Sequence, residues 1–153
     1  MKLGTLCYID NGKQTLMLHR VKKENDMHKG KWNGLGGKFK DGESPEECVI
    51  REVKEESGLT IKKPSLKGII TFPAFDEIDD WMVFVFTSKQ FTGSLTECEE
   101  GVLEWIENDN LNKLELWEGD KIFMKWLKDT PFFSAKFIYK RKKYVSHDVI
   151  FYK

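Results

Sequence analysis

The sequence predicts an α/β sandwich built on a mixed β-sheet. Its 153 residues suit a single domain spanning residues 1–153. Short apolar segments bounded by turn signals recur along the chain, as strands do, and two other segments have helical periodicity. Strands and helices that are mixed along one chain are typical of a sheet covered by helices.

Two strands are predicted near the N-terminus. Residues 3–9 are mostly apolar and are followed by Asn11-Gly12, a turn signal typical of hairpins. Residues 15–19 then return as the second strand. Residues 22–33 are polar and irregular, which is typical of a loop, and residues 34–39 are rich in glycine.

The first helix has clear start and stop signals. Ser44 is a favourable N-cap, Pro45 suits the first helical position, and Glu47 completes a capping box. Gly58 supplies the C-terminal stop. These signals predict a helix over residues 45–57.

The rest of the chain is predicted to form five strands and a second helix. Apolar side chains recur at helical spacing over residues 118–128. The last two strands flank a basic turn, which we interpret as a solvated hairpin tip rather than a nucleic-acid contact. The predicted strands are residues 66–72, 81–87, 102–106, 133–139 and 144–152.

Composition excludes several classes of protein. The 25 Lys and Arg residues balance the 25 Asp and Glu residues, so net charge does not favour a nucleic-acid polymer as partner. Cys7, Cys48 and Cys98 are widely spaced and odd in number, which argues against disulfides or a zinc site. No apolar segment reaches the roughly 20 residues of a membrane span, and no signal peptide is evident. We therefore expect a cytoplasmic protein.

The first helix carries an acidic face. Glu52, Glu55 and Glu56 are spaced i, i+3 and i+4, so their side chains project from one side of the helix. Like charges this close repel one another unless a cation compensates them, and hard divalent cations prefer oxygen ligands. A solvated acidic helix face is the alternative, and the spacing alone does not exclude it.

The segment around this helix, GKFKDGESPEECVIREVKEESGL (residues 37–59), resembles the signature of the Nudix hydrolases, and every defined position matches. The resemblance implies the Nudix α/β/α sandwich with a mixed β-sheet. It also implies a pyrophosphohydrolase that depends on Mg²⁺, for which Mn²⁺ can substitute. The matching positions are Gly37, Glu43, Arg51, Glu52, Val53, Glu55, Glu56, Gly58 and Leu59.

The resemblance also implies roles for these residues. The metal ligands are expected to be Glu52, Glu55 and Glu56, together with a backbone carbonyl at Gly36 or Gly37. Glycine at these positions allows close approach of the backbone to an ion and to phosphates. Arg51 is expected to pair with the carboxylates and orient them, and Glu43 is expected to link the preceding loop to Arg51.

Two carboxylates are candidates for the general base. Glu56 is the first choice. Glu100 is the second, and also a candidate metal ligand, because family members often bring an acidic residue to the site from outside the signature. Glu97 and Glu99 are close rivals, and a solvated acidic cluster is the alternative for all three.

Beyond the signature, the segments KWNGLGGK, TFPAF, LEW and LWEGD resemble the MutT-like 8-oxo-dGTP diphosphatases. This resemblance implies hydrolysis of oxidised purine nucleotides to a monophosphate and pyrophosphate, which sanitises the nucleotide pool. The partner is then a small nucleotide, and the oligomeric state stays open. In the animal enzymes two adjacent acids stand where this chain has Gly119-Asp120, so base recognition is expected to differ here.

A purine pocket needs an aromatic platform and groups that read the base edge. Trp117 is the candidate platform, with a core role as its alternative. Asn33 and Asp120 are the candidate edge readers, with a loop cap and a helix start as the respective alternatives. Phe72 is a candidate wall, although a buried strand residue has the same pattern. Lys23 is the candidate phosphate contact among several loop lysines that a solvated face also explains.

Other functions compete with this hypothesis. A Nudix pyrophosphatase acting on ADP-ribose or on dinucleoside polyphosphates uses the same signature. A non-enzymatic nucleotide-binding module usually has a degenerate signature, and this one is intact. An RNA-decapping hydrolase would require a broader basic surface than this neutral chain provides.

Overall fold

The computed structural model describes all residues, Met1–Lys153. It contains ten strands and three α-helices, with a 3₁₀ segment at Asn108–Lys113. The helices are α1 (Pro45–Ser57), α2 (Glu118–Phe123) and α3 (Trp126–Asp129). The strands are β1 (Lys2–Asp10), β2 (Gln14–His19), β3 (Trp32–Asn33), β4 (Thr60–Lys62), β5 (Ser65–Phe72), β6 (Trp81–Ser88), β7 (Gln90–Thr92), β8 (Val102–Glu107), β9 (Phe132–Lys140) and β10 (Lys143–Tyr152).

Eight of the strands form one mixed sheet, as the sequence predicts. Their order is β10-β9-β5-β6-β1-β2-β3, and β8 also pairs with β2. The pairs β1–β6 and β5–β9 are parallel, whereas the other pairs are antiparallel. Strands β4 and β7 form a separate two-stranded sheet.

The sheet has a hydrophobic core on each face. Successive side chains of a strand point to opposite faces, and β1 follows this rule. Cys7 and Ile9 pack with Val49 and Val53 of α1 in one core. Tyr8 belongs to the other core, which contains Trp117 and Phe123 of the α2 region together with the aromatic side chains of β9. Helices therefore cover both faces, and the predicted α/β/α sandwich is confirmed.

Helix α1 begins and ends at the predicted residues. The Ser44 hydroxyl accepts the backbone N–H of Glu47 at 3.1 Å, and the Glu47 carboxylate accepts the N–H of Ser44 at 2.9 Å. At the other end Gly58 has φ 82°, a left-handed conformation that glycine favours. An added Cβ there would lie 2.6 Å from the backbone oxygen of Ser94. Both ends of the helix are therefore fixed by local chemistry.

The prediction of one continuous helix over residues 118–128 is wrong. Residues 118–128 form two short helices, α2 and α3, with a break after Phe123. The N–H of Leu127 bonds the carbonyl of Met124, three residues back, so the regular four-residue ladder is interrupted. Trp126 of α3 then packs against Phe133 and Phe151. Tertiary packing thus overrides the helical periodicity.

Short elements were absent from the sequence prediction. β3 lies inside the predicted loop and pairs Trp32 and Asn33 with His19 and Leu18 of β2. β4 and β7 have three residues each, which is too short for an alternating pattern to be recognised. None of the helices combines the length and the apolar character that crossing a membrane requires.

We expect Ser44→Ala to lower the free energy of unfolding by about 1 kcal/mol, because it removes one half of the capping box of α1. Urea denaturation measures the change. The control is Ser94→Ala, since Ser94 is exposed and its hydroxyl makes no hydrogen bond. Equal stability of Ser44→Ala and the native chain would show that the cap does not stabilise α1.

Candidate active site

Arg51 is the centre of an ion-pair network on the acidic face of α1. Its Nε donates to Glu43 at 2.6 Å and its Nη2 donates to the other oxygen of Glu43 at 2.9 Å. Its Nη1 donates to Glu52 at 2.9 Å and to Glu55 at 3.1 Å. The Arg51 guanidinium and the backbone N–H of Lys40 lower the pKa of Glu43 to about 2. Arg51 therefore links the loop to the helix, as the sequence predicts.

Glu56 differs from the other carboxylates of α1 because it is buried. Its Oε1 accepts the backbone N–H of Gly36 at 2.8 Å, and only 9% of the residue is exposed. Burial raises the pKa of Glu56 well above its usual range, and a hydrogen bond shared with Glu100 raises it further. Glu56 and Glu100 therefore repel each other when both are ionised, and a proton or a cation would relieve that repulsion.

Glu100 reaches this site from the loop that precedes β8. Its carboxylate lies 3.8 Å from Nη2 of Arg20 and 4.0 Å from Nζ of Lys23. The rivals lie elsewhere: Glu97 pairs with Lys22 and is exposed, and Glu99 is exposed as well. Among the three acidic residues of this loop, only Glu100 joins Glu56.

The glycines before the helix bring the backbone close to these carboxylates. Gly36 has φ 151°, and an added Cβ would lie 2.0 Å from the backbone oxygen of Thr5. An added Cβ on Gly37 would lie 2.5 Å from the Glu52 carboxylate. The Gly37 carbonyl already accepts the N–H of Thr5 at 2.9 Å, whereas no protein group donates to the Gly36 carbonyl. Of the two predicted carbonyl ligands, the carbonyl of Gly36 is the free one.

This donor set fits a hard divalent cation in its chemistry, because Mg²⁺ and Mn²⁺ prefer carboxylate and carbonyl oxygens. The free Gly36 carbonyl and the repulsion between the Glu56 and Glu100 carboxylates both favour a cation at this place. The side chains do not converge on one point, and no three of the acidic, histidine or cysteine side chains enclose a space for an ion. Arg51 explains part of this arrangement, since its Nη1 binds Glu52 and Glu55.

A cavity of about 480 Å³ joins the acidic cluster to an aromatic pocket. Gly36, Glu52 and Glu100 line its acidic end, and Asn33 and Trp117 belong to the other end. The predicted wall residue Phe72 also lines it, as do Arg20 and Lys38, whereas the predicted phosphate contact Lys23 lies outside its lining. A nucleotide has the same division, with anionic phosphates at one end and an aromatic base at the other.

Trp117 is both a wall of this cavity and part of the core. Only 5% of it is exposed, and Phe75 and Tyr139 pack edge-on against it at 5.1 and 5.6 Å. Its Nε1 donates to Nδ1 of His28 at 2.8 Å. Burial and the charge of Arg20 lower the pKa of His28 to about 4, so the ring is neutral and accepts this bond. Trp117 can therefore be both the predicted platform for a base and the core residue of the alternative.

Polar groups without protein partners face the same pocket. Asp120 is buried, and its carboxyl makes no hydrogen bond within the chain. Burial raises the pKa of Asp120 to about 7. The Oδ1 of Asn33 is buried and has no donor. Because an unsatisfied buried polar group costs about 1–3 kcal/mol, these atoms indicate a place where a ligand completes the hydrogen bonding.

Sequence reasoning missed several polar and aromatic residues of the cavity, three of which make contacts that matter here. Arg20, His28 and Tyr139 all line it. His28 lies in the segment predicted as a loop, and Tyr139 lies at the end of a predicted strand. Alternation along β9 puts Phe137 and Tyr139 on its buried face, and this is the signal that points Tyr139 toward the core.

A larger cleft of about 1170 Å³ lies beyond the opposite ends of β1 and β6. It is mostly polar, and seven lysines line it together with Asp10, Asp109 and Asp129. It contains neither the acidic face of α1 nor the unpaired groups of the aromatic pocket. Size alone therefore does not identify the site, and the smaller cavity is the candidate.

Comparison with known proteins agrees with this geometry. The model of the NUDIX domain matches residues 2–127. An uncharacterized Nudix hydrolase of Bacillus subtilis (strain 168) is 35% identical over 76% of this chain and 72% of its own length. An oxidized purine nucleoside triphosphate hydrolase of Danio rerio is 31% identical over 84% of this chain and 79% of its own. The crystal structure of the MutT protein from Bacillus halodurans superposes with a TM-score of 0.87, at 33% identity, covering 97% of each chain. The chain belongs to the Nudix hydrolase family.

We expect His28 to make stability pH-dependent. Its pKa is about 4 in the folded protein and 6.5 in its ordinary state, so between these values the unfolded chain binds more protons. Stability is therefore fully present above pH 6.5 and is lost as the pH falls toward 4. After allowance for the partial exposure of the ring, the loss is about 2 kcal/mol.

Urea denaturation of the native chain and of His28→Asn across pH 4 to 7.5 tests this expectation. Asparagine keeps an acceptor for the Trp117 N–H but does not titrate. The difference in stability between the two proteins should change across this range. A constant difference would contradict the assigned pKa of His28.

Proposed function

We propose that this Nudix hydrolase cleaves oxidised purine deoxynucleoside triphosphates, with 8-oxo-dGTP as the preferred substrate, to a monophosphate and pyrophosphate. The observation that carries the proposal is the single cavity that connects an acidic cluster to an aromatic pocket with unpaired hydrogen-bonding groups. The names of the Danio rerio and Bacillus halodurans relatives support this substrate class. Such an enzyme would sanitise the nucleotide pool in the cytoplasm and so protect DNA.

Glu52, Glu55 and Glu56, together with Glu100 and the Gly36 or Gly37 carbonyl, would hold the Mg²⁺ or Mn²⁺ that this reaction needs. When bound, the ion neutralises phosphate oxygens and lowers the pKa of an attacking water. Arg51 orients Glu52 and Glu55 through its Nη1. Its bidentate bond with Glu43 anchors the loop that leads into α1.

The Glu56–Glu100 pair is our proposed general base. Burial and the neighbouring Glu100 raise the pKa of Glu56, and a bound cation would lower it again. Glu56 could then act as a carboxylate that accepts a proton near neutral pH. Glu56 is the proposed acceptor, and Glu100 is the alternative. Arg20 and Lys23 lie beside Glu100 and would offset phosphate charge at this end of the cavity.

The aromatic end of the cavity would bind the base. Trp117 and Phe72 provide apolar surface for it, and a stacked base contributes about 1–3 kcal/mol. Stacking does not distinguish one purine from another, so discrimination depends on the base edge. An 8-oxo-purine adds a donor at N7. The unpaired Oδ1 of Asn33 could accept from it, and Asp120, with its pKa near 7, can accept or donate elsewhere on the edge.

A nucleotide panel tests the substrate. With Mg²⁺ present, we expect kcat/KM for 8-oxo-dGTP to exceed that for dGTP by about tenfold or more, since one mismatched buried polar contact costs about 1–3 kcal/mol. Equal values would contradict the sanitation role. A preference for ADP-ribose or dinucleoside polyphosphates would support the other Nudix activity, and binding without turnover would indicate a nucleotide-binding module.

We expect Glu55→Gln and Glu56→Gln to reduce kcat by about 10³-fold, equivalent to about 4 kcal/mol, because each removes a charged cation ligand. Steady-state kinetics at saturating Mg²⁺ measures the loss. Glu46→Gln is the matched control, since Glu46 lies exposed in the first turn of the same helix. Turnover close to native in both Glu55→Gln and Glu56→Gln would refute the proposed site.

A further inference from the structure

Tyr139 occupies the space that a side chain at position 119 would need. Its hydroxyl accepts the backbone N–H of Gly119 at 2.6 Å. A Cβ added to Gly119 would lie 2.6 Å from that hydroxyl and 2.9 Å from the Phe137 ring. Position 119 is therefore restricted to glycine, and the phenol on β9 stands beside Asp120 where a neighbouring side chain of α2 would otherwise be.

The position of this hydroxyl is tightly held. Trp117 and Phe75 pack edge-on against the Tyr139 ring, with centroids 5.6 and 5.1 Å away, and only 5% of the residue is exposed. Burial raises the pKa of the phenol well above its usual range. Tyr139 therefore keeps its proton at neutral pH.

The Tyr139 proton has no acceptor in the protein. Its oxygen already receives the Gly119 N–H, and no side chain or carbonyl lies within hydrogen-bonding distance as an acceptor of its own O–H. The residue lines the same cavity as Asn33 and Asp120. What Tyr139 offers to a molecule in that cavity is therefore a hydrogen-bond donor.

We infer that Tyr139 is a specificity-determining donor that selects purines with a carbonyl oxygen at position 6. The inference rests on the proposed function, because it requires a nucleotide base in this cavity. Asn33 Oδ1 is an unpaired acceptor, and the Asp120 carboxyl accepts in its ionised form. In that form the pocket presents two acceptors beside the Tyr139 donor. The edge of 8-oxo-guanine presents the complement, with donors at N7 and N1 and the O6 acceptor. A 6-amino group would instead meet the Tyr139 donor with another donor.

The test compares Tyr139→Phe with the native chain on two pairs of substrates, 8-oxo-dGTP with 8-oxo-dATP and dITP with dATP. We expect the native chain to prefer the 6-oxo member of each pair. The variant should lose about tenfold in kcat/KM for the 6-oxo members, since their carbonyl is left without a donor. Its kcat/KM for the 6-amino members should change by less than about threefold.

Tyr144→Phe is the matched control. Its hydroxyl bonds His147 instead of facing the cavity, so its removal should leave both preferences unchanged. Thermal unfolding of each variant shows whether α2 is still anchored. If Tyr139 only anchors Gly119, Tyr139→Phe lowers all four values by the same factor, and that result would overturn the inference.

The native chain alone supplies a second test. Turnover of purine nucleotides without any preference for 6-oxo bases would overturn the role of Tyr139 and leave the proposed hydrolysis of oxidised purine deoxynucleoside triphosphates standing. Absence of turnover for all four nucleotides would overturn both.

Discussion

Repulsion among the carboxylates on one face of α1 is the constraint on which the site depends. Glu52, Glu55 and Glu56 lie within about one turn of helix, and the structure relieves the repulsion among them in two different ways. Arg51 compensates Glu52 and Glu55, whereas burial and the neighbouring Glu100 raise the pKa of Glu56. Stable capping at both ends of α1 holds these charges in place, so local helix chemistry determines where the proposed metal ligands lie.

The two faces of the sheet have different roles, since one anchors the acidic helix and the other carries the candidate binding cavity. The core under α1 is closed and apolar, which anchors the acidic helix. The core under α2 is open on one side, and its aromatic side chains continue into the cavity. Trp117 shows the consequence, because it stabilises the core and also walls the pocket. A substitution of Trp117 changes folding and binding together. Substitutions of residues with polar atoms at the cavity surface distinguish an effect on binding from an effect on folding better.

The sequence was sufficient for the fold class, the bounds of α1 and the Arg51 network, because capping and the signature spacing are local. It was not sufficient for contacts between distant segments. His28 meets Trp117 across 89 residues, and Gly119 meets Tyr139 across 20. Nothing in either residue's neighbourhood along the chain indicates such a bond. The break between α2 and α3 was missed for a related reason, since the packing of Trp126 against β9 and β10 decides it.

Similarity to relatives therefore transfers to the two ends of the cavity unequally. The acidic end is defined by charge, and its ion pairs join Arg51 to carboxylates of α1 at positions that match the family signature. The base end is defined by donors and acceptors, and a change of one residue reverses their pattern. A carboxyl beside Asp120 can accept or donate, whereas a phenol whose oxygen already receives a backbone N–H can only donate. Gly119 and Tyr139 are thus one feature, and the base preference that we propose for this chain depends on the pair.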